Sequence, residues 1–331
     1  MLAGLHRRGP LHDSLAAYGG VARGMVEDMT NRVLGLVVHP RNDVSASVAT
    51  VVALAGPNGI RVVARPDDAA RLGDGVEAMD EKELAETADF IFSLGGDGTM
   101  LGAMRLVAGR PTPVLGVNHG NIGFLIEVAP AGLPRALEWL MAGEFSLEPH
   151  SCLELAGHPE PTLAFNDVVL TATTPWTAVS LDLEINDVRH GYYRSDAVVV
   201  CTPTGSTAYN YAAGGPIISP SAPLIGLTPV APMSGITRPI VLGGDETIML
   251  RAPEQETRLS FDGAVTFTTE AGSDMVLRMR ANAVNVVRFD QDRHGARARV
   301  KLSLLDLPLR PDQLVELIPE ELRDRGRLPR L

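Results

Sequence analysis

The sequence predicts an α/β domain with an open parallel sheet, followed by an all-β domain, and three observations carry that prediction. From Val33 to Ala142, apolar runs of strand length alternate with helical stretches. Beyond Phe145 the pattern changes to short alternating runs separated by turn pairs. Within the first half, residues 89–109 (DFIFSLGGDGTMLGAMRLVAG) carry a buried strand through a glycine turn and an acid into a helix. A chain of 331 residues also exceeds the size at which a single core is usual, so two domains are expected.

Residues 1–28 lack an apolar stretch long enough for a signal peptide, and Asp13, Glu27 and Asp28 weigh against a transit sequence. They read as a disordered extension, with the α/β domain spanning 29–144. Val33–His39 is a strand buried on both faces, and Ser45–Ala55 a helix stopped by Gly56 and Pro57. Ile60–Ala64 is the next strand, and Asp80 can cap a helix from Glu81 to Thr87. Phe90–Leu94 forms the central strand, followed by a helix from Thr99 to Gly109 with Met100, Leu101, Met104, Val107 and Ala108 on one face. Pro113–Val117 is a further strand, and Leu133–Ala142 an amphipathic helix ended by Gly143. Strand and helix by turns imply right-handed crossovers, with ligands beyond the carboxyl ends of the strands.

The all-β domain spans 145–290, with strand signals in LAFNDVVLTAT, AVSLDLEI, ETIMLRA, RLSFDG and MVLRMR and a turn at Asn186-Asp187. It is interrupted by Thr202–Pro220, too rich in glycine, hydroxyls and small residues for a strand. Residues 291–331, with the charged stretch Glu320–Arg330, read as a tail packing back on the first domain.

Hydrophobic residues at 45% and charged residues at 21% fit a soluble globular protein, and no apolar run reaches membrane-span length. A formal charge of -11 argues against nucleic-acid or anionic-membrane partners. Cys152 and Cys201 are too few for a disulfide framework and lack zinc-ligand spacing, which fits a reducing cytoplasm.

Gly95, Gly96 and Gly98 remove side chains where strand becomes helix, so backbone N–H groups, with Thr99, can meet a phosphate at the positive helix end. Asp97 is the odd residue, because a carboxylate repels phosphate; its place there suggests a metal bridge or proton abstraction from an attacking hydroxyl. The turn alone reads equally as a tight connection with Asp97 capping the helix. A second turn, NHGNIGF from Asn118 to Phe124, lies at a neighbouring strand end and is expected to face the first. Asn166 and Asp167 interrupt an apolar run and can bracket a diol, or form a bulge. Thr202, Thr204, Ser206 and Thr207 offer hydroxyls around Pro203 and Gly205, and Tyr209 an aromatic face for a base. Asp196 before Ala197–Cys201 has no special claim by itself, and Asp262-Gly263 reads as a hairpin turn. Of the histidines, His39 and His190 read as structural, and His119 belongs to the second turn.

Together these stretches resemble the NAD kinase family. The matching pieces are GGDGTM (Gly95–Met100), PVLGVNHGNIGFL (Pro113–Leu125), FNDVVL (Phe165–Leu170), SDAVVVCTPTGSTAY (Ser195–Tyr209), AGGPIISP (Ala213–Pro220) and LTPVAPMSGITRPIVL (Leu227–Leu242). GGDG alone is shared with diacylglycerol kinases, sphingosine kinases and 6-phosphofructokinases; TPTGSTAY with a following GGP is far more specific.

The resemblance implies ATP-dependent phosphorylation of the 2'-hydroxyl of the adenosine ribose of NAD, giving NADP. Asp97 would accept the hydroxyl proton and help organise Mg2+-bound phosphates, the cation being held mainly by the nucleotide, with no metal assigned to protein ligands alone. Asn166 and Asp167 would hold the acceptor's ribose or diphosphate region, and Phe124, Thr207, Ala208 and Tyr209 would line the dinucleotide site, with Asn118, Thr204 and Ser206 among the acceptor-side residues. Asp196 would reach the ligand across a subunit contact, because the family forms dimers or tetramers. The family usually has Asn-Glu where this chain has Asn166-Asp167, and the shorter acid withdraws its oxygens by about 1.5 Å. It often has Asp-Gly where this chain has Asp196-Ala197, and a histidine within the stretch occupied by Pro232-Met233-Ser234. These departures fall on the acceptor side. A kinase acting on another hydroxyl compound, such as a nucleoside, sugar or specialised metabolite, is therefore the competing enzyme, and a dinucleotide-binding regulator the non-enzyme alternative. Whether the donor is ATP or polyphosphate is left open by the sequence.

Overall fold

The computed structural model describes residues 32–120, 125–126, 128–159 and 162–289. The extension at 1–28, Phe124 and the tail at 291–331 lie outside the described residues.

The first half runs β1 (Val33–Val38), α1 (Ser45–Ala55), β2 (Arg61–Ala64), α2 (Pro66–Leu72), β3 (Glu77–Ala78), α3 (Glu81–Thr87), β4 (Phe90–Gly95), α4 (Asp97–Leu106), β5 (Val114–Asn118) and α5 (Leu133–Met141). The strands pair in parallel in the order β5-β4-β1-β2-β3. All six residues of β4 are buried, because helices cover both faces of the sheet. Phe90, Phe92 and Leu94 join the core with α1 and α5, and Ile91 joins the opposite core with Met100 and Met104 of α4. The Asp80 carboxylate caps α3 by accepting from the Lys82 N–H at 2.9 Å. The short α2 was not anticipated, although Pro66 at its first turn followed by Asp67 and Asp68 is a start signal.

The second half is β6 (Ser146–Leu155), β7 (Leu163–Ala164), β8 (Asp167–Ala172), β9 (Val179–Ile185), β10 (Val188–Ser195) and β11 (Ala197–Cys201). A 3-10 turn (Thr204–Thr207) and α6 (Tyr209–Ala212) follow. The chain continues through β12 (Leu224–Val230), β13 (Ser234–Gly235), β14 (Ile240–Gly243), β15 (Ile248–Arg251), β16 (Thr257–Phe261), β17 (Val265–Thr269) and β18 (Asp274–Arg288). Strands β14-β12-β11-β8-β16-β17 form an antiparallel six-stranded sheet. It packs against β9, β10 and β15 through Val168, Leu170, Val198 and Val200 on one side and Leu181, Leu183 and Tyr193 on the other.

The two halves share one sheet. β18 pairs antiparallel with β15 and β6 and, at Val286, parallel with Val114 of β5, so the parallel sheet continues into the antiparallel strands as one 12-stranded sheet. The return to the first half was expected from the tail beyond 290; among the described residues it is made by β6 and β18. Val287 and Leu147 complete one core of the α/β half, and Val284, Val286, Cys152 and Phe165 complete the other.

Candidate active site

The phosphate turn sits where β4 meets α4. The helix begins at Asp97, with Gly96 as an N-cap that offers no side chain, so neither a Thr99 start nor a capping Asp97 describes it. Gly96, Gly98 and Thr99 line a cleft of about 1170 Å³ that also takes in the carboxyl end of β1 and the β17 strand. A Cβ on Gly96 or Gly98 would meet nothing within 4 Å, so both present bare backbone to that cleft. Gly95 serves differently: a Cβ there would lie 2.2 Å from Thr99 Oγ1, and its carbonyl accepts from the His119 N–H at 2.9 Å. Gly95 therefore makes room for Thr99 and anchors the second turn rather than offering itself to a phosphate.

The described start of the second turn, residues 118–120, lies against the first. Asn118 pairs with Gly95 in register, its side-chain oxygen accepts from the Gly120 N–H at 3.0 Å, and a Cβ on Gly120 would stand 3.4 Å from the Gly96 Cα. His119 turns away toward α1, with Nε2 2.9 Å from Ser47 Oγ, and burial lowers its imidazole from the usual value. Asp97 Oδ1 accepts from the Leu125 N–H at 3.2 Å, which orients the carboxylate toward the chain leaving the second turn.

On the acceptor side, Phe165 is fully buried against α4, and Asn166 occupies a bend between β7 and β8. The Thr202–Tyr209 segment is fastened to that bend. Thr202 donates its N–H to the Asn166 carbonyl (2.9 Å) and its hydroxyl to the Phe165 carbonyl (2.6 Å), and accepts from the Gly205 N–H (3.0 Å). Gly205 has to be glycine because a Cβ would lie 1.9 Å from the Asn166 carbonyl oxygen. Ser206 is buried, and its hydroxyl donates to the Pro203 carbonyl at 2.6 Å, with the Ile218 carbonyl at 3.2 Å, and accepts from the Ile218 N–H. Its hydroxyl is thus used to hold the following GGP loop and is not presented to a ligand. Thr207 donates to the Thr204 carbonyl at 3.3 Å, and Ala208 leads into Tyr209, which is 43% exposed and offers a free aromatic face.

Asp167 is 5% exposed, and its carboxyl is pushed up to about 7, first by burial and then by the charge of Asp262, while the Tyr209 N–H pulls it down. Asp196 is exposed and lies at the opposite end of β11 from Thr202. Five strand residues lie between them, a span of roughly 20 Å, so a single chain does not bring Asp196 to the Asn166–Tyr209 group.

Several residues bonded to the site segments escaped the sequence reading. Leu125, which bonds Asp97, gives its carbonyl to Arg288 Nη1 at 2.8 Å, and Arg288 donates through Nε to Glu148. Glu148 lies 3.7 Å from His150 Nε2, and His150 Nδ1 lies 3.3 Å from Thr204 Oγ1. Hydrogen bonds therefore run from Asp97 as far as Glu148, and His150, whose Nε2 has no hydrogen-bond partner, stands between Glu148 and the hydroxyl-rich loop. Burial raises Glu148, but His150 and Arg288 together hold it well below the usual carboxylate range. His150 is buried but lies on the phase of β6 that also carries Ser146, Glu148 and Glu154, so no apolar alternation marks it. Asp262, read only as a hairpin turn, does adopt the left-handed φ of 49° expected there, yet its side chain is fully buried and ion-paired to Arg105 at 2.7 Å. Nothing local in the sequence marks that contact.

A glycine–acid turn at a strand–helix switch, in a chain whose parallel and antiparallel strands share one sheet, defines a two-domain nucleotide-handling fold. The ATP-NAD kinase N-terminal domain family matches residues 34–145, and the ATP-NAD kinase C-terminal domain family matches residues 165–289. NAD kinase of Moorella thermoacetica is 34% identical over 249 residues, covering 73% of this chain and 80% of that protein. NAD kinase of Burkholderia multivorans is 37% identical over 227 residues, covering 66% and 75%. The chain belongs to the NAD kinase family. Two solved structures share its fold: yeast NADH kinase complexed with NADH (TM-score 0.75, 21% identity, 85% of this chain and 90% of that one) and an Archaeoglobus fulgidus NAD kinase in complex with ATP (TM-score 0.65, 22%, 82% and 98%).

Proposed function

We propose that this chain transfers a phosphoryl group from ATP to the 2'-hydroxyl of the adenosine ribose of NAD, giving NADP. The observation that carries the reading is Asp97 set between Gly96 and Gly98, whose bare backbone lines the cleft at the start of α4, with Leu125, Arg288 and Glu148 bonded in turn behind its carboxylate. Gly96, Gly98 and Thr99 hold donor phosphates, and Asp97 accepts the proton of the attacking hydroxyl. Tyr209, Ala208, Thr207 and Asn166 position the dinucleotide, and Asp196 completes the site from a second subunit of a dimer or tetramer. Positioning and charge stabilisation supply most of the catalysis in such a transfer.

Among the described residues no group of three or more His, Cys, Asp or Glu side chains could cage a metal ion. Asp97, one carboxylate beside the phosphate turn, fits a Mg2+ that arrives on the nucleotide, as this ion usually does. When bound, that ion would neutralise phosphate charge.

The test is incubation of the purified protein with Mg-ATP and NAD, NADP being read with an NADP-specific dehydrogenase, beside a panel of nucleosides and sugars. NADP formation is expected; efficient turnover of a nucleoside with none of NAD would overturn the acceptor. The second reading, another hydroxyl acceptor, is favoured by the burial of Asp167 beneath Tyr209. If Asp167 is a short substitute for glutamate, Asp167→Glu raises NAD phosphorylation; if the pocket is built for another molecule, it damages activity on that molecule and does little for NAD.

A further inference from the structure

The Asp262 carboxylate has no exposure and receives four donors. Oδ2 accepts from Arg105 Nη1 at 2.7 Å and the Phe165 N–H at 3.0 Å. Oδ1 accepts from the Asn166 N–H at 2.7 Å and the Asp167 N–H at 3.2 Å. A turn aspartate ordinarily bonds its own turn. This one instead holds three consecutive amides of a bend about a hundred residues earlier, filling the acceptor capacity of a carboxylate. Its fourth donor comes from α4, whose first residue is Asp97; Arg105 lies eight positions on, roughly 12 Å along the axis.

We propose that Asp262 and Arg105 are positioning residues for phosphoryl transfer, one ion pair fixing the Phe165–Asp167 bend to the helix that carries the phosphate turn. The inference rests on the kinase reading and adds two residues to it. Phe165, buried in one core with Met100 and Met104, holds the bend to the same helix by packing, and the ion pair adds the directional bonds that the non-directional hydrophobic contact lacks. The carboxylate, bonded on both sides, fixes the backbone of the bend and with it the Thr202–Gly205 loop, whose Thr202 N–H donates to the Asn166 carbonyl.

The pair also sets a pH response. Asp167 faces Asp262 from the β16–β17 turn, the Tyr209 N–H from the segment after the 3-10 turn, and Cys201 opposite it on β11; Arg105 and Cys152 face Asp262. Burial first, and Asp262 second, favour the protonated Asp167 carboxyl, so removing the Asp262 charge moves that titration toward lower pH.

The experiment compares wild type, Arg105→Met, Arg105→Lys and Asp262→Asn in steady-state kinetics across pH 5 to 9, with thermal unfolding and amide hydrogen exchange on each. Arg105→Met is expected to lose at least about tenfold in kcat with KM for NAD within about threefold, because misplacement without lost contacts acts on the transition state. Exchange at the Phe165, Asn166 and Asp167 amides rises in the same variant, Arg105→Lys recovers part of kcat, and Asp262→Asn shifts the acid limb of the pH profile downward. A folded Arg105→Met with wild-type kcat overturns the proposal. So does a lowered thermal transition with unchanged kinetics, which would make the pair merely structural. Absence of NADP from wild type would sink the kinase reading instead; unchanged exchange at residues 165–167 in Arg105→Met would then still overturn the latch.

Discussion

Asp97 can be probed without disturbing its neighbours, since an asparagine keeps the oxygen that accepts from the Leu125 N–H while losing the basicity. Asp97→Asn is expected to fold normally and to lose at least about a hundredfold in kcat; a near-normal rate removes the proton-acceptor role. Asp167 makes a different prediction. Its folded carboxyl titrates at about 7 against an ordinary 3.8, so between those values the native state keeps a proton that the unfolded chain has released. Stability therefore falls as pH rises from about 4 to about 7 and levels off above, by on the order of 2 to 4 kcal/mol if nothing relaxes. Asp167→Asn has no such titration, so its Tm should gain on that of wild type between pH 5 and 8, and a constant difference would refute the burial argument. Asp97 was legible in the sequence because an acid among phosphate-facing glycines is chemically out of place. Asp262 was not, because Asp-Gly after a β run already has a sufficient local explanation.

Two glycines of neighbouring elements separate backbone fit from ligand access. At Gly205 a new Cβ would run into the Asn166 carbonyl, both oxygen and carbon being backbone atoms that cannot swing aside. Gly205→Ala should cost about 1 to 3 kcal/mol in denaturant unfolding and raise KM for NAD, because the loop must lift off the bend. At Gly98, inside α4, nothing lies within 4 Å. Gly98→Ala should leave stability unchanged or raise it by up to about 1 kcal/mol while raising KM for ATP, and an unchanged KM would discount the cleft as the phosphate site. Elements with clear local signals, such as the continuous apolar runs of β1 and β4 and the Gly56-Pro57 stop of α1, were readable to within a residue or two of their ends. The 15-residue β18 was visible only as its first half, because Ala281, Asn282, Ala283 and Asn285 give little strand signal where the register with β6 also shifts.

At the scale of the molecule, two halves were visible in the sequence but their shared sheet was not, since the contact of Val114 with Val286 joins positions that no local pattern relates. The pairing has an energetic consequence. Without β18 the parallel sheet would end at β5 with an unpaired edge, and without Phe145, Leu147, Cys152, Phe165, Val284, Val286 and Val287 both cores of the α/β half would lie open. Seven buried side chains at about 1.5 to 3 kcal/mol each outweigh the 5 to 15 kcal/mol by which a domain is ordinarily stable. A fragment spanning 29–144 is therefore expected to show no cooperative thermal transition, and the full chain to unfold in one. Two resolved calorimetric transitions in the full chain, or a cooperatively folding 29–144 fragment, would mean that the halves are energetically independent and that the seam joins them without stabilising either.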